Sequence, residues 1–370
     1  MLTITTALPE DYRTASPEEL DERIGAARSA LGDRLLILGH HYQKDEVMRW
    51  ADARGDSFGL SRLAADRHDA EFVVFCGVHF MAESADLLTG PGQQVLLPDL
   101  AAGCSMADMA DIDQVEEAWE AIGKVTDVER VVPITYMNST AALKAFVGRH
   151  GGAVCTSSNA RRVLEWALRD QVDRPGAEKV LFFPDQHLGR NTARSMGFDL
   201  SSMVVWDPRR ELGGLDDVDV KQATFLLWKG HCSVHQRFKP EHVAAFRAAH
   251  RDGVVVVHPE CSHEVVDVAD LVGSTDFIIR TVGAAPPGTA IGIGTEIHLV
   301  KRLADEHPSL HVECLDPSVC PCTTMSRIDA PHLAWILEEL VAGRVRNQIT
   351  VDEDTARFAR VALERMLAIP

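Results

Sequence analysis

The sequence predicts an α/β fold built from three pseudo-symmetric three-layer αβα domains, each with a short, mainly parallel sheet. Two patterns carry this reading. Short aliphatic runs recur along the chain, most of them followed by a turn and an amphipathic stretch. Continuous apolar runs of that length suit strands buried on both faces, as in parallel sheets covered by helices, and their alternation with helical patterns implies right-handed βαβ units. The runs also fall into three groups, separated by cysteines on turns: Cys104 in Gly103-Cys104-Ser105-Met106, Cys232 in His231-Cys232-Ser233-Val234-His235, and Cys320 in Val319-Cys320-Pro321-Cys322. A chain of 370 residues is also longer than one core usually supports.

Taken in order, Ser16-Pro17-Glu18-Glu19 opens a helix: an N-cap serine, a proline at the first helical position and a capping-box glutamate. Gly32-Asp33 can turn the chain, so the helix should end near Leu31. The clearest strand-like runs follow at 35–38, 72–75, 95–97, 131–134, 180–183, 225–228, 254–257 and Phe277-Ile278-Ile279. The acidic, Gly-bearing stretch 206–221 lacks a strong period and reads as a surface insertion. His332 to Leu340 and Thr355 to Leu367 have apolar residues at helical spacing. The domains are expected at 1–103, 104–231 and 232–324, with the helices of 325–370 packing on the first.

Composition narrows the partners. With 55 acidic against 37 basic side chains the formal charge is −18, which argues against general nucleic-acid or anionic-membrane binding. A local pocket can still oppose that field and take an anionic substrate. No apolar run approaches the roughly 20 residues that span a bilayer. The amino terminus lacks the pattern of a secretory signal. A cytoplasmic protein is expected, in which the eight cysteines are thiols or metal ligands rather than disulfides.

The turns carry the chemistry. Gly39-His40-His41-Tyr42-Gln43 follows the first buried strand and supplies acid/base groups at its carboxyl end. Ser57 after Gly55-Asp56, Ser157 or Ser158 in Thr156-Ser157-Ser158-Asn159, and Ser274-Thr275 after Gly273 put hydroxyls beside helix starts. Each alone reads as an N-cap; the recurrence in all three domains points to carboxylate or phosphate binding. Tyr136 and Asn138 end another strand and can orient a polar ligand. His258-Pro259-Glu260 makes a proton-transfer pair beside His235, provided burial raises the Glu260 pKa. Cys76 and Cys155 read as core residues, Cys261 and Cys314 are not required by any spacing, and Cys322 beside Cys320 is open as a ligand, a redox partner or a bystander. Thiolate ligands favour zinc or iron–sulfur, and spacing leaves both open.

These motifs, together with Gly77 to Ser84, Pro98 to Cys104, Phe183 to Gly189 and Trp228 to His235, occur in an order that resembles the quinolinate synthase (NadA) family from about residue 33 to 329. The stretch before Cys232 resembles the family's longer subgroup, and a C-x-x-C-x-x-C tract found in some members is missing, which leaves Cys320 as the match. The resemblance implies a [4Fe–4S] cluster at the centre of the three domains, held by Cys104, Cys232 and Cys320, with one iron free to act as a Lewis acid. It implies a transferase of NAD biosynthesis that condenses iminoaspartate with dihydroxyacetone phosphate to give quinolinate, phosphate and two waters. An aspartate-oxidising enzyme would then supply the iminoaspartate. The matching residues give Tyr42, Glu260, His235 and His258 catalytic roles, and His40, Ser57, Tyr136, Asn138, Ser157, His258, Glu260, Ser274 and Thr275 substrate contacts. A zinc-dependent lyase or hydrolase using the same Cys and His side chains is the alternative.

Overall fold

The computed structural model describes residues 8–169, 176–318 and 321–369; Cys320 lies outside them. The chain divides into two compact units, one of Met1–Cys104 with Cys320–Val351, the other of Ser105–Val319 with Asp352–Pro370.

The first unit holds one sheet. Its parallel strands are β1 (Leu35–His40), β2 (Ala53–Gly55), β3 (Phe72–Cys76) and β4 (Gln94–Leu96). All six β1 residues and all five β3 residues are buried, as the unbroken aliphatic runs require. The first long helix runs Pro17–Leu31 as expected. Ser16 Oγ accepts the Glu19 N–H at 3.2 Å, and Gly32, at φ 55°, ends the helix in a conformation that costs other residues more. Leu20, Ile24, Ala27 and Leu31 form its buried stripe, and the helix packs against Ala330–Val341.

The second unit holds two sheets. One is built from β5 (Val131–Tyr136), β6 (Ala153–Cys155), β7 (Lys179–Phe183), β8 (Met203–Trp206) and β9 (Phe225–Trp228); the other from β10 (Val254–Val257), β11 (Leu271–Val272), β12 (Ala290–Gly294) and β13 (His311–Cys314). Every pairing within these two sheets is parallel. In the first unit a short β14 (Gln348–Ile349) joins β4 antiparallel.

The three sheets share one arrangement of their first three strands. Their orders are β14-β4-β3-β1-β2, β6-β5-β7-β9-β8 and β11-β10-β12-β13. In each, the leading strand is flanked by the second strand on one side and the third on the other. The chain therefore reverses direction across the leading strand, and the carboxyl ends of the first and third strands form a switch point, where open α/β sheets bind ligands. The triplicated α/β design is thus present.

Several expectations need correction. Phe277-Ile278-Ile279 is helical, inside Thr275–Gly283: Ser274 Oγ accepts the Phe277 N–H at 3.3 Å, and Ile278 and Val282 share the buried face. The third strand of that sheet is instead β12, whose sequence AIGIG carries glycines where a Cβ would approach Phe246 and Leu315 side chains to 2.8–2.9 Å at Gly292. The stretch expected as an insertion begins inside a strand: Trp206 ends β8, is 2% exposed, and lies over Gly213, where a Cβ would meet its ring at 2.5 Å. A capping box of Asp216 and Asp219 then starts the helix Asp217–Gln222. Of the two tail helices, only Ala330–Val341 joins the first unit. Glu353–Ala368 packs on the helix Ala141–Arg149 and on β6 in the second, with the Phe358 carbonyl so near Gly148 that a Cβ there would sit 2.0 Å away.

Candidate active site

The second unit gathers most of the expected residues. His258 follows β10 and Glu260 stands two residues on; both are buried, as is His235 on the 3-10 turn His235–Arg237. His235 Nδ1 lies 2.8 Å from Glu260 Oε2, and its Nε2 lies 3.1 Å from Thr295 Oγ1 just beyond β12. The His235 and His258 rings stack with centroids 4.6 Å apart and planes 22° from parallel. The Glu260 N–H donates to His258 Nδ1 at 3.4 Å, which assigns the ring proton to Nε2 when that ring is neutral. Tyr136, at the end of β5, donates its hydroxyl to Glu260.

Burial alone would raise the Glu260 pKa, but the facing His235 and His258 imidazoles and the hydrogen bonds from His235 and Tyr136 outweigh it. The carboxyl is held down at about 2, contrary to the raised pKa expected from sequence. Burial drives His258 down to about 3, so that ring is neutral. The carboxyl that is raised belongs to Asp185, at the switch point beyond β7: burial pushes it well up, and the Glu260 charge adds to the effect. Its Oδ1 accepts the His187 and Leu188 N–H groups at 2.6 and 2.9 Å, which fixes the start of the helix Gln186–Ser195. Sequence reasoning missed Asp185 and Thr295. Asp185 sits in a quoted motif, directly after the β7 run; Thr295 follows the strand that was not recognised.

The hydroxyl-bearing turns recur at one place in each sheet. His40 pairs with Gly55, Tyr136 with Cys155 and Val257 with Val272; two residues beyond those second strands stand Ser57, Ser157 and Ser274. Ser57 opens the helix Ser57–Asp66, capped by Asp56, whose Oδ1 takes the Gly59 N–H at 2.7 Å. Ser274 caps Thr275–Gly283, with Thr275 buried beside it. Ser157 is half-buried, whereas Ser158 is exposed and its hydroxyl lies 2.8 Å from Thr156 Oγ1. Asn138 is half-buried just past β5. In the first unit His40 closes β1; its Nδ1 accepts the Tyr42 N–H at 3.2 Å and the two rings meet edge to face at 4.8 Å.

The cysteines separate by environment. Burial pushes the Cys76 and Cys314 thiols up to about 12, and it raises Cys155 and Cys261 as well. Such thiols stay protonated and make poor ligands. Cys104, Cys232 and Cys322 are only half-buried. All three open the same local pattern: a two-residue turn, a 3-10 helix three residues on (Ala107–Met109, His235–Arg237, Met325–Arg327), and an α-helix eight residues on (Ile112–Val125, Pro240–Ala249, Ala330–Val341). The Gln236 N–H donates to the Cys232 carbonyl at 3.0 Å and the Ser326 N–H to the Cys322 carbonyl at 2.9 Å. The repeat therefore puts Cys322, two residues beyond the expected Cys320, at the third equivalent position. The soft donors suit iron–sulfur or zinc. Donor atoms of Cys232, His235 and Glu260 lie within 4.8 Å of one another.

No helix among the described residues is long and apolar enough to cross a membrane. The model of the family described as NadA, Quinolinate synthetase A protein, matches residues 22–368. Among similar curated proteins is a Quinolinate synthase of Nocardioides sp., 58% identical over 98% of this chain and 92% of that protein. Those of Corynebacterium glutamicum and Geobacillus kaustophilus are 56% and 53% identical, each over 98% of this chain and over 90% and 96% of the relative. Matched by that model over residues 22–368 and 58% and 56% identical to two of these relatives over 98% of its length, the chain belongs to the NadA, or quinolinate synthetase A, family.

Proposed function

We propose that this protein is a quinolinate synthase, a transferase that condenses iminoaspartate with dihydroxyacetone phosphate and releases quinolinate, inorganic phosphate and two waters. The buried Tyr136–Glu260–His235 chain at the switch points of a chain from this family carries the reading. The atoms balance without oxidant or reductant, so the work is proton transfer, loss of water and phosphate, and ring closure. Delivery of the unstable iminoaspartate by an aspartate-oxidising enzyme fits that chemistry.

Cys104 and Cys232, with Cys322 as third thiolate by the structural repeat, would hold a [4Fe–4S] cluster; Cys320 is the competing third ligand. Such a cluster, when bound, supplies an open iron that polarises substrate oxygen. The chain's own residues supply the rest. Ser57, Ser157, Ser274 and Thr275, at or just before helix starts, would take carboxylates and phosphate, with His40 assisting. Ionised, buried Glu260 lies 2.8 Å from His235 Nδ1 and fixes that ring's orientation, so the pair rather than the carboxyl alone relays a proton. Neutral His258 presents its Nε2–H to a substrate oxygen. Tyr42 serves as the acid/base group of the first unit, and Asn138 orients the intermediate.

The Cys232, His235 and Glu260 donors also favour a second reading, a zinc-dependent lyase or hydrolase. One assay separates the two. Anaerobically prepared protein supplied with iminoaspartate and dihydroxyacetone phosphate should yield quinolinate and phosphate in equal amounts. No quinolinate from the iron-loaded protein would overturn the synthase reading, and higher turnover by a zinc-loaded, iron-free preparation would overturn the cluster.

A further inference from the structure

Among the described residues a second group of metal-ligand side chains lies in the second unit, on elements the reaction does not use. His311 and Glu313 alternate along β13 and so project from one face of that strand, which pairs with β12 through Ala290↔His311 and Gly292↔Glu313. His250 caps the carboxyl end of the helix Pro240–Ala249, its ring against Phe246 at 5.0 Å and its N–H bonded to the Phe246 carbonyl. A strand register and a helix end thus fix the backbone positions of all three residues.

Their geometry suits a small cation. His311 Nε2 lies 3.2 Å from Glu313 Oε2, and His250 Nε2 lies 3.8 Å from Glu313 Oε1. The two imidazoles face each other with centroids 4.6 Å apart, and the donor atoms all lie within 4.8 Å of one another. A tetrahedral centre with bonds of about 2.0–2.1 Å sets its donors about 3.3 Å apart, so modest side-chain rotation closes the set. The two imidazoles are borderline donors that favour zinc, cobalt or nickel over magnesium or calcium, and the carboxylate completes a set that zinc accepts. The side chains are 26%, 58% and 41% exposed, which leaves a fourth position for water and an open path for the ion.

We propose that His250, His311 and Glu313 form a surface site for one divalent transition-metal ion of the zinc class, which ties the edge strand β13 to the end of the helix Pro240–Ala249. The site is separate from the cysteine ligands proposed above and stands whether or not that assignment does. Because β13 is an edge strand, an ion there should stiffen the end of its sheet.

The probe is zinc chloride added to the intact holoenzyme, with bound zinc and retained iron measured together. Wild-type protein should take up one zinc more than His311→Ala or Glu313→Gln, with iron content unchanged, and its Tm should rise with zinc. Each variant should bind zinc at least about tenfold more weakly and lose the zinc-dependent Tm shift. Their Tm without zinc and their turnover should match wild type, since none of these residues belongs to the candidate active site. Equal zinc uptake by wild type and both variants, or no uptake by wild type, would overturn the site. Should His311→Ala fold poorly, the near-isosteric Glu313→Gln decides alone.

Discussion

Glu260→Gln is the substitution on which the proposed proton chemistry turns. Glutamine keeps the shape and one acceptor for the Tyr136 hydroxyl but removes the charge that faces His235 at 2.8 Å. The lowering of the carboxyl from 4.5 to about 2 corresponds to about 3 kcal/mol of preference for the ionised form, supplied chiefly by the His235 side. Losing a positioned proton-transfer partner costs about 10²–10⁴ in rate, and the lower end of that range is again about 3 kcal/mol. The variant should therefore fold, with a stability loss of about 1–3 kcal/mol from the weakened buried pair, and retain wild-type iron. Its kcat should fall at least about 100-fold while KM changes little. Quinolinate formation under anaerobic conditions, followed with thermal unfolding and iron analysis, reads all three. A kcat within about twofold of wild type would remove Glu260 from the proton path.

Three further outcomes follow from the packing and charges. Asp185 binds a proton more tightly in the folded state, so its contribution favours folding at low pH and is lost as pH rises from the ordinary carboxylate range through the raised folded value. Asp185→Asn, whose amide oxygen can still accept the His187 and Leu188 N–H groups, should hold its Tm better than wild type as pH rises; parallel profiles would contradict the raised pKa. Gly148→Ala forces a methyl group against the Phe358 carbonyl and should cost about 3 kcal/mol or more, read by urea unfolding, because backbone must move to relieve it. Ser16→Ala removes the acceptor of the Glu19 N–H and should cost about 1 kcal/mol with no change in turnover.

The legible parts of the fold are those where one force dominates. β1, β3, β5, β7, β9 and β10 are buried on both faces, so unbroken aliphatic runs mark them. β2, β8, β11 and β13 are short edge strands, largely half-exposed, whose register comes from neighbours rather than from their own pattern. Phe277-Ile278-Ile279 misleads because a three-residue apolar run has no readable period; the Ser274 cap decides for helix. At the site, the strand-end residues His40, Tyr136, His258 and Glu260 could be picked out because each follows a buried run. Asp185 also follows a buried run, but nothing in its sequence neighbours signals the burial and raised pKa that come from long-range packing. The choice between Cys320 and Cys322 needed the backbone repeat, since both thiols flank one proline.

Iron with acid-labile sulfide per chain is the most direct measure of the proposed iron–sulfur centre, held by thiolates from three equivalent turns. Anaerobically prepared wild-type protein should hold about four of each. Cys104→Ala, Cys232→Ala and Cys322→Ala should each lose the cluster, while Cys320→Ala retains it. Full iron and sulfide in the Cys104 or Cys232 variant, or zinc in place of iron throughout, would contradict the cluster. Loss in Cys320→Ala with retention in Cys322→Ala would contradict the structural repeat as the guide to the third ligand.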